Sequence, residues 1–329
     1  MNELYPLKFK PVFLEKIWGG QRMKTVLGKN FAPLPNCGES WEISGVEGSV
    51  SEVRNGFLKG NPLNDLVEVY MGDLVGDQVF SKFGIEFPLL VKFLDSNDWL
   101  SVQIHPDDKT SMSHHHAYGK SEMWYVFHAD EGAQVIHGFK KATSREDFMK
   151  KLSEKKLRDI LQFVDVKTGD VFYNPAGLVH AVGPGICIAE IQQSSDITYR
   201  IYDWDRMDKD GNPREMHLDL ALDVMDYGSD PEPSVPYIPV PGKTVTLVDT
   251  PFFTTNLLEA KQTMKRDYTF LDSFVIYLCF EGSVVIQFPG GEETLKKGET
   301  CLLPAVLKDI TLQPKDSFKM LEAYISFQA

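Results

Sequence analysis

Short runs of β-branched and aromatic residues, separated by turn residues, dominate the sequence pattern between residues 87 and 288. In several runs apolar and polar positions alternate, which is typical of strands that bury one face. Many such runs at this spacing predict the sheets of a β-sandwich or β-barrel. The predicted strands are 87–95, 99–106, 121–129, 133–139, 170–177, 186–193, 198–204, 274–282 and 283–288.

Two segments with a helical pattern interrupt these strands. Residues 144–163 begin at Ser144, a candidate N-cap, and space their apolar residues along one helical face. Residues 214–228 form the second segment, which ends on a glycine, a common helix terminator. The sequence therefore predicts a mainly β protein with helical insertions.

A proline-rich stretch divides the chain. The segment GSDPEPSVPYIPVPG supplies five prolines between positions 231 and 241, and such a segment forms neither a helix nor a central strand. We interpret it as an extended connection between domains. The predicted organisation is a large domain at 1–229, the connection at 230–242 and a smaller β domain at 243–329.

A weak internal repeat relates the two predicted domains. The segment GDVFYNPAGLVH (169–180) and the segment GETCLLPAVLKD (298–309) both place five residues between a glycine and a proline. The second copy has Asp309 where the first has His180. The smaller domain is therefore interpreted as a degenerate copy of the same strand-turn-strand unit.

The charge and the cysteines narrow the classes of function. A net charge of −13 among 329 residues argues against nucleic acid as a partner, because binding to a phosphate backbone needs a basic face. No apolar run reaches the ~18 residues of a membrane helix, and no secretory signal pattern opens the chain, so a cytoplasmic location without membrane contact is expected. The four cysteines lack CxxC spacing and are expected to be reduced and buried.

Polar residues alternate with apolar ones in the segment WLSVQIHPDD. In a strand, Ser101, Gln103 and His105 share one face, because side chains alternate with a period of two. Lys120 and Glu122 share a face by the same rule in the segment GKSEMWYV. These two polar faces are candidates for a common buried site.

A tight turn is expected to bring a second histidine to that site. His180 follows Pro175 and Gly177, which favour a turn that directs the side chain back. Two imidazole nitrogens and two oxygens form a ligand set that suits Zn²⁺ or a similar divalent ion and leaves room for substrate. The candidate ligands are Gln103, His105, Glu122 and His180.

Cations near residue 200 could supply the positive patch that the overall charge lacks. Arg200 lies on a predicted strand, Arg206 follows where that strand ends, and Lys120 belongs to the candidate site. Guanidinium groups bind phosphate through paired hydrogen bonds. The alternative is that both arginines form surface ion pairs with neighbouring carboxylates. Those carboxylates are Asp203, Asp205 and Asp208.

Three consecutive histidines, His114, His115 and His116, first suggest a metal site. Consecutive side chains splay apart in a helix and alternate in a strand, so three cannot converge on one ion. The segment is therefore predicted to be a loop at the surface or at the rim of a pocket.

Six ordered motifs resemble the type I phosphomannose isomerases, from IWGG at 17–20 to about residue 225. The fourth motif is similar to the second metal-binding motif of cupin barrels. The motifs are GESWEIS (38–44), SVQIHPDD (101–108), GKSEMWYV (119–126), GDVFYNPAGLVHAV (169–182), EIQQSSDITYRIYDWDR (190–206) and REMHLDLAL (214–222).

The resemblance implies a fold and a site. The implied fold is a cupin-type β-barrel, or jelly roll, with helical insertions and a second, degenerate cupin-like β domain. One Zn²⁺ per chain, or another divalent metal, is implied on the four ligands named above, with Arg200 as an essential catalytic residue. Arg206 stands where longer members of the family have lysine. The implied substrate-binding residues are Ser101, Lys120, Glu190 and Arg206.

The resemblance also implies an activity, the interconversion of mannose 6-phosphate and fructose 6-phosphate through an enediol. Glu190 and a water on the metal are both suitable as the proton-transferring base, and the sequence does not decide between them. Alternatives are another cupin enzyme acting on a sugar, such as an epimerase, or a non-catalytic sugar-phosphate sensor. Gln103 argues against cupin dioxygenases, which carry a histidine there. The native metal and the oligomeric state stay open.

Overall fold

The computed structural model describes residues 3–207, 211–228 and 232–327. Within these ranges the chain is mainly β, as predicted. The strands are β1 (Val12–Leu14), β2 (Glu39–Ile43), β3 (Leu89–Ser96), β4 (Val102–Ile104), β5 (Glu122–Ala129), β6 (Gln134–Phe139), β7 (Leu161–Asp165), β8 (Val171–Asn174), β9 (His180–Val182), β10 (Ile186–Gln193), β11 (Tyr199–Tyr202), β12 (Thr244–Asp249), β13 (Thr254–Ala260), β14 (Met264–Asp267), β15 (Val275–Phe288), β16 (Gly291–Lys296), β17 (Thr300–Leu303) and β18 (Asp309–Tyr324).

Helices fill the connections between the strands. They are α1 (Arg22–Thr25), α2 (Leu63–Val75), α3 (Asp77–Phe83), α4 (Asp108–His115), α5 (Arg145–Ser153) and α6 (Leu218–Val224), with a 3₁₀ turn at Leu157–Asp159. None of the helices in the described ranges is long and apolar enough to cross a membrane.

The strands form three antiparallel sheets. The first has the order β1-β2-β3-β10-β5-β8 and the second the order β11-β4-β9-β6-β7. The third has the order β12-β13-β18-β15-β16, with β14 paired to β18 and β17 paired to β15. Leu7 and Leu302 exchange two main-chain hydrogen bonds of 2.8 Å, so the start of the chain is joined to the third sheet.

The first sheet buries both faces of its central strands. Phe93 and Ala189 belong to a core shared with Ile276 and Leu321 of the third sheet. Alternate residues of the same strands face the second sheet, where Leu94 and other residues form a separate core with residues of β6 and β9. Every residue of β3 is buried, including Lys92. A lysine in such a strand needs buried partners.

The prediction of one helix over residues 144–163 is wrong in its second half. Ser144 is the N-cap, as predicted, and accepts a hydrogen bond from the Asp147 amide at 3.2 Å. The helix ends at Ser153, and Lys155 adopts a left-handed φ of 57°. Leu161 then begins β7, which pairs with β6, because sheet pairing outweighs the helical spacing of its apolar residues.

Other boundaries also differ from the prediction. The second predicted helix is shorter than 214–228 and begins only at Leu218. The segments 274–282 and 283–288 form one strand, β15, in which the register with β18 shifts on both sides of Gly282. Helices α2 and α3 were not predicted. Residues 230 and 231 of the predicted connection, and residue 229 at the end of the large predicted domain, lie outside the described residues.

The three histidines do not form the predicted loop. His114 and His115 lie in the last turn of α4, which begins after the N-cap Asp107, and His116 caps its C-terminus with a φ of 54°. All three are exposed, as expected of a surface segment. The Asp107 carboxylate accepts a hydrogen bond from the Thr110 amide at 2.8 Å, which stabilises this helix start.

Candidate metal centre and adjoining cavity

Strand register brings the predicted ligands together. On the second sheet, Gln103 of β4 is paired with Arg200 of β11 on one side and with His180 of β9 on the other. Residues in direct register project from the same face of a sheet. The polar face predicted for the segment around Gln103 therefore belongs to a row of polar residues that crosses three strands.

The turn before His180 fixes its position against the first histidine. Gly177 adopts a φ of 86°, and its amide donates a 2.9 Å hydrogen bond to the main-chain carbonyl of His105. A Cβ at Gly177 would lie 2.6 Å from the Val224 carbonyl oxygen, so this turn requires glycine. The tight turn expected from Pro175 and Gly177 is present.

Three buried side chains form a compact cluster. The Nε2 atoms of His105 and His180 lie 3.1 Å apart. The Glu122 carboxylate lies 3.4 Å from both, through Oε2 to His105 and Oε1 to His180. The exposed fraction of each of the three residues is no more than 1 %. This cluster can hold a metal ion.

Main-chain carbonyls fix the tautomer of both histidines. Nδ1 of His105 lies 2.9 Å from the Ile197 oxygen, and Nδ1 of His180 lies 2.9 Å from the Leu178 oxygen. A carbonyl oxygen only accepts hydrogen bonds, so each Nδ1 carries the hydrogen. Both Nε2 lone pairs consequently point into the cluster, which is the arrangement that metal-binding histidines use.

The chemistry of the cluster fits a cation. Two nitrogen lone pairs face each other, and neither oxygen of Glu122 accepts a hydrogen bond from a described residue. The Lys120 ammonium lies 3.0 Å from Glu122 Oε2 and 3.1 Å from His105 Nε2. The cluster therefore has the nitrogen and oxygen donors that a divalent ion requires, with Lys120 as the cation that balances Glu122.

The electrostatics keep the donors deprotonated. Burial, and next the Lys120 charge, lower the pKa of His105 to about 3. Burial also lowers the pKa of His180. Burial alone would raise the pKa of Glu122, but Lys120 and His105 hold it well below its usual range. Neutral imidazole and ionised carboxylate are the forms that bind metals.

A cavity of about 460 Å³ adjoins the cluster. Five of the six residues predicted for substrate binding, catalysis or the fourth ligand position line this cavity: Ser101, Gln103, Lys120, Glu190 and Arg200. The sixth, Arg206, is not among the described residues of the lining. The other lining residues are Leu14, Lys16, Trp18, Glu39, Trp41, Ser49, Lys92, Leu94, Leu100, Trp124, Asp196, Thr198 and Arg214.

Gln103 lies between the cluster and the serine that precedes it. Its Nε2 is 3.5 Å from His180 Nε2, and its Oε1 accepts a 3.4 Å hydrogen bond from the Ser101 hydroxyl. Gln103 thus contacts the histidine pair through its amide group. Rotation of that amide by half a turn would direct the oxygen toward the cluster.

One wall of the cavity carries a buried ionic network around Glu190. Lys92, Glu190 and Trp124 lie side by side in register on β3, β10 and β5. The Trp124 indole donates a 3.0 Å hydrogen bond to Glu190, and Lys92 Nζ lies 3.4 Å from the same carboxylate. Burial, and next the charge of Glu122, raise the pKa of Glu190. Glu190 therefore holds its proton more strongly than an exposed carboxylic acid does.

Glu39 extends this network to the edge of the cavity. It accepts a 2.7 Å hydrogen bond from the Trp41 indole and lies 2.9 Å from Lys16 and 3.6 Å from Lys92. Burial would raise its pKa, but Lys92 and Lys16 lower it to about 2. Glu39 is thus an ionised counter-charge for two lysines of the cavity wall.

The sequence reasoning missed several of these residues. Lys92 interrupts the apolar segment 87–95, and a charged residue in a continuous buried strand is a signal that could have identified it. Trp124 shares the face of Glu122 by strand alternation. Arg214 opens the REMHLDLAL motif and the predicted helix 214–228, but nothing in that pattern indicated a cavity residue, and the helix begins only at Leu218.

The arginines near residue 200 differ in their surroundings. Arg206 is ion-paired with Asp203 at 2.7 Å and with Asp98 at 3.4 Å, so the alternative of a carboxylate pair applies to it. Arg200 donates to the main-chain oxygen of Glu215 at 2.7 Å, and its buried Nε has no hydrogen-bond partner among the described residues. Asp208, another candidate partner, lies outside the described residues.

The fold and the site define a cupin-type protein with a buried cluster that can hold a metal ion, beside a polar cavity. A family model for the catalytic domain of type I phosphomannose isomerase matches residues 6–122. A second model, for the cupin domain of mannose-6-phosphate isomerase, matches residues 243–318. The expected fold class is thereby confirmed.

Similarity to known proteins extends over nearly the whole chain. The mannose-6-phosphate isomerase of Streptococcus mutans is 39 % identical over 305 residues, which cover 91 % of this chain and 94 % of the relative. That of Bacillus subtilis is 37 % identical over 319 residues, or 94 % and 96 % of the two chains. A crystal structure of mannose 6-phosphate isomerase from Bacillus subtilis, 30 % identical, matches with a TM-score of 0.85 and covers 97 % of this chain and 99 % of that one. This chain belongs to the type I phosphomannose isomerase family, as the motifs indicated.

Proposed function

We propose that the protein binds a hexose 6-phosphate in this cavity and interconverts mannose 6-phosphate and fructose 6-phosphate. The observation that carries this proposal is the His105–Glu122–His180 cluster beside a cavity that Arg200 and Lys120 line. Two relatives that cover most of the chain are named for the same isomerisation. A cavity of about 460 Å³ is large enough for a hexose phosphate.

We assign one Zn²⁺ per chain to the cluster, with Gln103 as a fourth ligand beside His105, Glu122 and His180. Two nitrogens and two oxygens suit zinc, and the Nδ1–carbonyl bonds already hold both imidazoles in the ligating tautomer. When bound, the ion supplies Lewis-acid polarisation of the sugar carbonyl and stabilises negative charge on the sugar oxygens.

Glu190 is our candidate for the proton carrier between C1 and C2. It lines the cavity, is buried, and has a raised pKa because of burial and the nearby Glu122 charge. A general base works best when its pKa approaches the operating pH. Trp124 and Lys92 hold its two oxygens in place, so the carboxylate presents a fixed geometry to the sugar.

The remaining lining residues bind and orient the substrate. Arg200 offers a guanidinium whose buried Nε has no hydrogen-bond partner in the described part of the chain, and Lys120 offers an ammonium beside the cluster. Ser101 supplies a hydroxyl next to Gln103. Binding energy from the phosphate can hold the reacting carbons in place, which favours the chemical step.

A coupled assay tests the activity and its metal dependence together. The protein should convert mannose 6-phosphate to fructose 6-phosphate, lose that activity after exhaustive chelation, and regain it when Zn²⁺ is added back. Full activity in the metal-free protein would overturn the metal assignment. Absence of conversion with mannose 6-phosphate in the zinc-loaded protein would overturn the isomerase proposal.

A further inference from the structure

Arg214, rather than Arg206, is the second arginine that faces the cavity. Arg214 and Arg200 both belong to the cavity lining. Arg206 instead lies against Asp203 and Asp98. Arg206 is nearer to strand β11 in the sequence, but Arg214 is the arginine that lines the cavity.

Asp203 holds Arg214 in a fixed orientation. Nε of Arg214 donates to Asp203 Oδ2 at 2.7 Å, and Nη2 donates to Oδ1, so both oxygens of the carboxylate are engaged in a fork. Such a fork sets the plane of the guanidinium group. Asp203 is only 6 % exposed, and Arg206 braces it through a third hydrogen bond of 2.7 Å.

The fork leaves donors of the arginine pair for a ligand. A guanidinium carries five N–H groups, and Asp203 engages only the Nε and Nη2 atoms of Arg214. Arg200 adds its buried Nε, which has no hydrogen-bond partner among the described residues. Two neighbouring guanidiniums with donors beyond those that the fork uses match the oxygens of a phosphoryl group.

The charges of this wall also suit an anion. Arg206 and Arg214 are ion-paired with Asp203 and Asp98, whereas Arg200 makes no ion pair with the described residues. Burial, and next the charge of Arg214, lower the pKa of Arg200, so the two guanidiniums interact. A bound dianion would relieve their repulsion.

We infer that Arg200 and Arg214 together bind the phosphoryl group of the substrate, while Arg206 acts as a positioning residue that braces Asp203. This assignment deepens the proposed function and rests on it for the identity of the sugar. The site of phosphate binding then lies at the β11 wall of the cavity, across from the network around Glu190. It differs from the sequence-based expectation, which gave the second contact to Arg206.

Steady-state kinetics of two arginine variants test the assignment. Arg214→Gln should raise KM for mannose 6-phosphate about 10- to 100-fold, the loss expected for a charge-assisted hydrogen bond, and change kcat less than about threefold. The inhibition constant of inorganic phosphate should rise by the same factor. Arg206→Gln, which only weakens the brace on Asp203, should raise both quantities by a smaller factor than Arg214→Gln does. Arg145→Gln, which removes an exposed arginine paired with Asp223, is the matched control and should change neither quantity.

Equilibrium binding of inorganic phosphate, measured by calorimetry, separates this inference from the proposed function. If the protein binds phosphate and Arg214→Gln weakens that binding, the inference stands even when no isomerase activity is found. Equal phosphate affinity in Arg214→Gln and the unmodified protein would overturn it, as would a larger loss in Arg206→Gln. Asp203→Asn, which weakens the fork while keeping both arginines, should also raise KM and provides a second variant if Arg214→Gln does not fold.

Discussion

His105 and His180 direct their Nε2 atoms at each other across 3.1 Å, and each ring donates its Nδ1 hydrogen to a main-chain carbonyl. The two carbonyls belong to Ile197 and Leu178, so the tautomers depend on the path of the backbone and not on other side chains. Two lone pairs this close are stable only beside positive charge. Glu122, 3.4 Å from both, makes the pair a site for a divalent ion.

Glu122→Gln removes the negative charge from the cluster while keeping its shape. We expect the affinity for Zn²⁺ to fall by more than about 100-fold, because the loss of a direct ligand exceeds the 10- to 100-fold cost of losing a supporting contact. Metal content after dialysis, together with competition against a chelator, measures this change. Unchanged metal affinity would remove Glu122 from the ligand set.

The exposed histidines of helix α4 provide the control for metal binding. His114→Asn combined with His116→Asn should leave tightly bound metal unchanged, because both side chains are exposed and lie in the last turn and cap of α4. Any weakly bound metal at the helix end should disappear in this double variant. The two metal populations are thereby separated.

Arg200→Ala tests the guanidinium beside Gln103. We expect kcat/KM for mannose 6-phosphate to fall about 100-fold or more, because a partly buried charge that binds the anionic substrate is lost. Arg145→Ala, which removes an exposed arginine, is the control and should have normal kinetics. Normal turnover of Arg200→Ala would exclude Arg200 from the site.

The candidate metal ligands could be found from the sequence because each is tied to local structure. Alternation in the strand around Gln103 and in the strand of Glu122 puts their polar side chains on one face. Gly177 requires a positive φ, and the turn it forms joins the two histidines through the His105 carbonyl. Period-two patterns and obligatory turn residues are readable from one sequence.

The second arginine at the cavity could not be found in this way. Arg206 follows β11 in irregular backbone, and Arg214 does too, because the helix predicted from residue 214 begins only at Leu218. In such backbone no periodicity indicates the direction of a side chain. Both arginines form ion pairs with Asp203, and the geometry of these tertiary contacts determines which arginine faces the cavity. Lys92, by contrast, was detectable as a charge within an apolar strand.

The error in residues 144–163 has the same kind of cause. The spacing of Leu157, Ile160 and Leu161 fits a helix, but it also fits a 3₁₀ turn followed by a strand that buries Leu161. The hydrogen bonds between β7 and β6 decide the outcome, and they depend on a strand more than twenty residues earlier. The local spacing of apolar residues gives no information about a pairing strand so far away in the sequence.

Trp124→Phe keeps an aromatic ring beside His180 but removes the donor to Glu190. The substitution should lower the free energy of unfolding by on the order of 1–3 kcal/mol, because the buried carboxyl of Glu190 loses one hydrogen bond. It should also reduce kcat, because Glu190 is no longer held in place. Urea unfolding and steady-state kinetics measure the two effects.

The control variant is Trp204→Phe, which removes the indole hydrogen bond to the Leu100 oxygen and should lower stability without lowering kcat. An unchanged kcat in Trp124→Phe would show that this contact does not position Glu190.

Glu39 should make stability depend on pH. Its pKa is lowered from 4.5 to about 2 in the folded protein, a difference equivalent to about 3 kcal/mol of folding stability above pH 4.5. This contribution is lost as the pH falls from about 4.5 toward 2. Glu39→Gln should therefore be less stable than the unmodified protein at pH 7, and the gap should narrow on acidification. Urea unfolding from pH 7 to pH 3, with exposed Glu47→Gln as control, tests this; a gap that stays constant with pH would contradict it.

The four cysteines should be unreactive in the folded protein. All four are buried and free, and burial raises the pKa of Cys37 and Cys279 to about 12 and that of Cys187 and Cys301 as well. At about pH 8 only about one thiol in ten thousand with such a pKa is the reactive thiolate. A colorimetric disulfide reagent should therefore detect almost no fast thiol in the native protein and four after unfolding in guanidinium chloride. One rapidly reacting thiol in the native protein would show that at least one of these side chains is accessible, contrary to the predicted buried, reduced state.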